Sequence, residues 1–322
     1  MPSPRRLAGA AAGALCLWAA AAHAQPPEAC ATRDRCLDAV MDAAAGGRQL
    51  EEMAMLRLLP RVYGARPSAP GTAPPDTRSD GSLAAGEPDG VLESLQRDPD
   101  WRNMPAPDRL HALVSAYLRA GKPAPAELEL DEAIANQPSH APYWLDLAQV
   151  YAHQGRRDKA AAALVVATDW TADGAALQQT YVQAAQRSEG SGNELPYAQA
   201  LQLLAARTAA LARREAALAP RPLVKGPDGK YGAMPVMLFN SCARPDYPRS
   251  SLRNQETGAV TLQFLVDSAG KPVQIRKTRS SGHAGLDNAT LLSLSACSFT
   301  PLAVDGKPAA AWATVQYVWT LE

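Results

Sequence analysis

The stretch GAVTLQFLVDSAGKPVQIRKTRSSG, residues 258–282, decides the fold of the C-terminal quarter of the chain. Val260, Leu262, Phe264 and Val266 alternate with Thr261, Gln263 and Leu265, a period of two that puts one apolar face on a strand. Ser268-Ala269-Gly270-Lys271 supplies a turn, and Val273 and Ile275 open a second strand. HAGLDNATLLSLSAC, residues 283–297, then reads as a helix with Leu286, Thr290 and Leu294 on one face, joined by Ala289 and Ser293. The closing AAAWATVQYVWTLE returns to strand. Its parity sets Ala313, Val315, Tyr317, Trp319 and Leu321 on one face and Trp312, Thr314, Gln316, Val318 and Thr320 on the other. The expected order is β-β-α-β, with a short helix, YPRSSLRNQ, in front.

Upstream the period lengthens. DRLHALVSAYLRAGKPAPAELELDEAIANQPSHA (108–141) aligns with PYWLDLAQVYAHQGRRDKAAAALVVATDWTADGA (142–175) at a constant offset of 34 residues. Tyr117 meets Tyr151, Gly121 meets Gly155, Ala126 meets Ala160, Leu130 meets Leu164 and Ala133 meets Ala167. The second copy carries Trp144, Leu147, Ala148 and Tyr151 where the first has Leu110, Leu113, Val114 and Tyr117. A 34-residue period with this order of large and small residues resembles the tetratricopeptide repeat. That resemblance implies helical hairpins in which small alanines let helices approach and Leu, Tyr and Trp fill the groove. The expected repeat core is Leu110, Tyr117, Ala126, Trp144, Leu147, Tyr151 and Ala160. Two repeats rarely bury a continuous core, so residues 175–218 are expected to add a degenerate third hairpin. A stacked array of this kind offers a concave peptide-binding groove, or serves as plain helical scaffold.

The remaining segments order the chain as follows. Residues 1–24 read as a signal peptide: Arg5 and Arg6 are positive, Leu7 to Ala22 is apolar, and Ala22-His23-Ala24 places small residues where a signal peptidase cuts. An uncleaved anchor is the alternative. Residues 25–63 form an N-terminal helical segment, 64–90 a Pro/Gly/Ser-rich flexible linker, 91–218 the repeats, 219–241 a second linker and 242–322 the sheet domain. Within the second linker, MPVMLF allows an edge strand. The fold class is therefore α+β, an all-α repeat domain followed by a small β-β-α-β domain.

Lys plus Arg and Asp plus Glu both number 32, so no basic field points to nucleic acid. Cys16 leaves with the signal. Cys30, Cys36, Cys242 and Cys297 remain, an even set in an exported chain, which points to two disulfides with three possible pairings; the local pairings Cys30–Cys36 and Cys242–Cys297 are favoured. No CxxC is present and the five His are scattered, so no metal site is expected. Ser280, Ser281, His283 and Asp287 fall within eight residues but sit in one connection, whereas a triad needs a base held against its nucleophile by the fold. No phosphate loop or paired carboxylates appear, and no enzyme activity, cofactor or small-molecule substrate is expected.

PDYPRSS, GAVTLQFLVDSAGKPV, RSSGHAGLDNATLLSLSACSFTP, DGKP and the terminal strand, taken in order, resemble the C-terminal domain of the TonB family over about residues 240–322. The resemblance implies a binding domain that pairs a short extended segment of an outer-membrane receptor with a sheet edge. The expected edge comprises Trp312, Thr314, Val315, Gln316, Tyr317 and Val318. Self-pairing into a dimer, or cover by the helical half, are the other uses of such an edge. The family's N-terminal Ser-x-x-x-His element is incomplete, because Ala19 stands four residues before His23. The function expected is a periplasmic protein–protein interaction module with cell-envelope partners, among them a TonB-dependent receptor, and a second partner in the repeats. The alternative is a TonB-type energy transducer anchored in the inner membrane.

Overall fold

The computed structural model describes residues 30, 32–62, 90–187, 195–223 and 234–321. The signal-peptide expectation and nearly all of the 64–90 linker expectation lie outside the described residues. Among the described residues no helix is long and apolar enough to cross a membrane.

The repeats fold as three helical hairpins. They are α4 (Ala106–Arg119) with α5 (Pro123–Asn136), α6 (Ala141–His153) with α7 (Arg157–Trp170), and α8 (Gly174–Arg187) with α9 (Tyr197–Leu218). The sequence repeat is repeated as cap geometry. Gly121 and Gly155 take φ of 68° and 73°, the left-handed region glycine enters without steric cost. The next residue closes the helix end in both copies: the Lys122 N–H donates to the Tyr117 carbonyl (2.9 Å) and the Arg156 N–H to the Tyr151 carbonyl (2.8 Å). Tyr117, Ala126, Trp144, Leu147, Tyr151 and Ala160 are buried, and Leu110 is half-buried against them. The Trp144 indole N–H donates to the Pro138 carbonyl, 2.8 Å, at the turn joining the two repeats.

A preceding hairpin, α1 (Arg33–Ala45) and α2 (Gln49–Val62), packs on α5, α7 and α9, and α3 (Gly90–Gln96) leads into α4. This cover explains why α7 is buried on several sides and is alanine-rich, since Ala160, Ala161, Ala163 and Ala167 let neighbours close in. Glu52 of α2 is buried beside the Asp169–Arg207 ion pair, 2.5 Å long. Burial first, and then the Asp169 charge, push its carboxyl well above the usual carboxylate range.

The C-terminal domain contains β1 (Val236–Leu238), α10 (Arg249–Arg253), β2 (Gly258–Val266), β3 (Pro272–Arg279), α11 (Ala284–Leu294), β4 (Ser298–Thr300), β5 (Leu302–Val304), β6 (Lys307–Ala309) and β7 (Ala311–Trp319). The main sheet is antiparallel in the order β3-β2-β7 and packs its Val260–Leu262–Phe264–Val266 face on Leu286, Leu291 and Leu294 of α11. The expected β-β-α-β order is thus its framework. Two short pairs add to it. β1 pairs with β4, so part of the stretch 219–241 read as a linker belongs to the domain, at the MPVMLF segment. β5 and β6 form a hairpin turning at Asp305-Gly306. β1 falls where MPVMLF allowed an edge strand; β4, β5 and β6, of three residues each, are too short to display alternation, which is why the sequence pattern passes over them. Gly270 (φ 80°) makes the β2–β3 turn possible, since a Cβ there would meet the Phe299 carbonyl oxygen at 2.1 Å.

The two halves are docked on each other. The Asn288 side-chain amide of α11 donates to the carbonyls of Ser139 (2.8 Å), in the turn between α5 and α6, and of Trp170 (2.9 Å), at the end of α7. Arg57 of α2 donates to the Leu292 carbonyl (2.8 Å) and to the Ser295 hydroxyl. The Ile275 N–H of β3 donates to Gln49 Oε1 (3.3 Å), and Arg214 of α9 reaches the Val273 carbonyl at 3.5 Å. The first half of the outer edge of β3, at Val273 and Ile275, is therefore covered by the helical half.

Candidate partner-binding edge

With the helical half covering β3 at Val273 and Ile275, β7 offers the longer open edge of the main sheet. Its side-chain parity follows the sequence: Ala311, Ala313, Val315, Tyr317 and Trp319 turn toward α11, and Trp312, Thr314, Gln316 and Val318 turn away. Trp319 anchors the strand, donating from Nε1 to Thr290 Oγ1 (2.9 Å) and packing edge-on against Tyr247 and Tyr317. Val315 and Tyr317 are half-buried on the inner face; Thr314, Gln316 and Val318 are exposed on the outer one.

The backbone of β7 has a second polarity that decides what an incoming strand would meet. Ile275 directs its N–H away from β2, toward Gln49. Its register partner Phe264 therefore turns its own N–H and C=O the other way, toward Ala313. By alternation, Ala311, Ala313, Val315, Tyr317 and Trp319 exchange hydrogen bonds with β2, and Trp312, Thr314, Gln316 and Val318 present N–H and C=O outward. The Ala310 carbonyl, of the same parity as the outward set, accepts the Arg221 N–H at 2.8 Å on the far side from β2, which agrees. Among the described residues no further backbone bond is made to the outward groups of Thr314, Gln316 and Val318. Unpaired ladder groups of this kind are a template for another strand.

The six residues named from sequence thus divide. Thr314, Gln316 and Val318 offer outward backbone groups, Val315 and Tyr317 form the half-buried shelf beside them, and the Trp312 side chain is already engaged. Its indole N–H donates to Glu215 Oε1 (2.9 Å) and its ring lies 4.2 Å under the Arg276 guanidinium, which also pairs with Glu215. Sequence reasoning missed Glu215. Its signal was an acidic residue in the last turn of a helix whose dipole disfavours it there.

The connection holding Ser, His and Asp is structural. Asp287 is fully buried and accepts from the Ser281 N–H (2.8 Å), the Ser281 hydroxyl (2.7 Å) and Lys277 Nζ (3.1 Å). Although burial opposes it, hydrogen bonds from Ser280 and then Ser281, with the Lys277 charge, hold its carboxyl below the usual range. The His283 ring faces Glu256 at 3.8 Å, and His283 meets Ser281 through its backbone, its N–H donating to and its carbonyl accepting from the Ser281 hydroxyl at 3.2 Å. The disulfides are Cys30–Cys36 and Cys242–Cys297; the second ties the entry of the domain to the end of α11. Among the described residues no three His, Cys, Asp or Glu gather as metal ligands.

Comparison with known proteins agrees with this architecture. The family model of the Gram-negative bacterial TonB protein C-terminal matches residues 243–321, and a tetratricopeptide repeat model matches 107–150. Residues 243–321 are thus similar to the TonB C-terminal domain. The chain is 37% identical over 81 residues to Protein TonB of Neisseria meningitidis serogroup C, which covers 24% of this chain and 29% of that protein. It is 40% identical over 55 residues to Protein TonB of Neisseria gonorrhoeae, covering 17% of this chain and 19% of the relative. The chain thus spans less than a third of the length of these curated relatives. No solved structure gives a significant match. The TonB-like domain supplies both the open β7 edge and the face by which α11 docks on the repeats.

Proposed function

We propose that this chain is a periplasmic, non-enzymatic interaction protein whose TonB domain binds an extended segment of an envelope partner, such as a TonB-dependent outer-membrane receptor, by adding it to β7. The observation that carries this is the outward backbone polarity of Thr314, Gln316 and Val318 on an open edge, while β3 is covered at Val273 and Ile275. Main-chain bonds to that row supply affinity, and the Val315–Tyr317 shelf selects apolar or β-branched side chains at alternate partner positions.

The test separates the two parities. Thr314→Pro removes an outward donor and leaves the β2 ladder whole, because the Thr314 N–H does not face β2. Val315→Pro deletes a bond to β2 and is expected to destabilise the domain by about 3 kcal/mol. The probe is a set of short peptides spanning the periplasm-facing segments of the outer-membrane receptors of the source bacterium. Thr314→Pro should keep the wild-type circular dichroism and melting and lose at least about tenfold in peptide affinity, one net hydrogen bond plus the ring's steric block. Undiminished affinity in the folded variant refutes strand addition at β7.

The likeness to proteins named TonB favours a second reading, a membrane-anchored energy transducer. The mature N-terminus of the native protein, read by mass spectrometry after separating periplasm from membranes, discriminates them. A soluble chain beginning at Gln25 supports the interaction protein; a membrane-bound chain retaining Arg5 to Ala24 supports the transducer.

A further inference from the structure

The connector between repeats and sheet is Ala219-Pro220-Arg221-Pro222-Leu223. It begins at the end of α9, where Ala219 adopts a left-handed conformation (φ 43°) and its N–H returns to the Glu215 and Ala216 carbonyls. That turn sends the chain along the N-terminal end of β7, where the Arg221 N–H donates to the Ala310 carbonyl. Pro220 and Pro222 have no N–H, so only one amide of the Pro-Arg-Pro triplet can bond a sheet edge. Such a segment occupies a single ladder site and cannot continue as a strand.

The same end of β7 is latched to α9 through a side chain. Glu215 accepts from the Trp312 indole and from Arg276, which stacks on that indole. Connector and latch converge on Ala310 and Trp312 and leave Thr314–Val318 open.

Building on the strand-addition reading, we propose that residues 219–223 are an intramolecular stop on the binding edge. A partner strand pairs freely with the Thr314–Val318 half. It reaches Trp312 and Ala310 only by displacing the Arg221 amide and loosening the Glu215–Trp312 latch. The helical half thereby limits the length of partner segment held, and a longer segment pays for its extra bonds by detaching α9 from the sheet.

The test uses the full chain. In the free protein, the Arg221 amide should exchange with solvent at least about tenfold more slowly than in the isolated peptide APRPL. The receptor peptides above are then titrated against wild type, Arg221→Pro and Glu215→Ala, with amide exchange mapped on β7. Arg221→Pro deletes the competing donor and keeps an extended, solvent-exposed connector. It should bind about three- to tenfold more tightly, the worth of one hydrogen bond, with protection extending from Thr314 to Trp312. Glu215→Ala should shift affinity the same way and speed Arg221 exchange. Exchange of Arg221 at the peptide rate overturns the stop. So do equal affinities and an unchanged footprint in all three proteins, an outcome that leaves strand addition standing. Absence of any peptide footprint on β7 in every protein sinks strand addition and the stop with it, and is told apart because Arg221 stays protected in the free wild type.

Discussion

Asn288→Ala is the sharpest probe of how the two halves are joined. Asn288 is buried (5% exposed), and its amide nitrogen serves two carbonyls of the other half, Ser139 and Trp170, at 2.8 and 2.9 Å. Truncation deletes two hydrogen bonds, each with a net worth of about 1 kcal/mol, and strands two carbonyls at a site water reaches poorly, at about 1–3 kcal/mol for each left unsatisfied. Partial relaxation reduces the total, giving an expected loss of about 2–4 kcal/mol. With a urea m-value of about 3 kcal/mol/M, the midpoint falls by roughly 1 M. Far-UV circular dichroism follows the helices and Trp fluorescence the aromatic packing. In the wild type the two should report one transition. In Asn288→Ala they should separate, because the sheet domain then opens before the repeats do. Asn288→Asp should be more damaging, since it sets a charged acceptor against two acceptors. An unchanged midpoint with coincident transitions in Asn288→Ala refutes the docking of α11 on the repeats.

Two further predictions concern the TonB domain. Asp287→Asn should cost about 2–3 kcal/mol at pH 7, because it takes a carboxylate from Lys277 and the Ser281 donors. The folded-state pKa of Asp287 lies below the ordinary aspartate value of about 3.9, so its contribution is fully present above that value and lost as pH falls through the folded pKa; the gap between variant and wild type in urea titrations should close in that acid range and stay open at neutral pH. Cys297→Ser should lower stability by about 4 kcal/mol under oxidising conditions, from a closed loop with a sequence separation of 55, and by much less when both proteins are reduced; equal oxidised melting would contradict a structural role for Cys242–Cys297.

How much of this was legible in the sequence depends on the range of each interaction. The repeat was legible because its determinants are local: Gly121 and Gly155 close helices whose Tyr117 and Tyr151 lie four residues earlier. The face parity of β7 was legible for the same reason, since alternation is set by neighbours along the strand. The direction of its backbone bonds was not. That follows from which strand lies on which side, and the deciding contact joins Ile275 to Gln49, 226 residues away. Trp312 was placed on the right strand, but its engagement depends on Glu215, 97 residues upstream on another element. Asn288 carried a weak signal, a polar amide beside Asp287 in a Leu-rich helix, without any indication of the carbonyls it meets.

A three-stranded open sheet has two edges, and a free domain of this shape offers both to partners, to copies of itself or to aggregation. Here Gln49 and Arg214 sit on the β3 edge, and Arg276, Trp312 and Leu265 of the outer face lie under α9 and its connector or are buried. Arg57 and Asn288 hold the helix behind the sheet. Each of these contacts removes a way for the sheet to pair and none touches Thr314, Gln316 or Val318. The repeats need bind no second partner to matter to the edge: by closing the start of β3 and the start of β7, they shorten both edges and leave Thr314, Gln316 and Val318 as the outward row an incoming strand meets on β7.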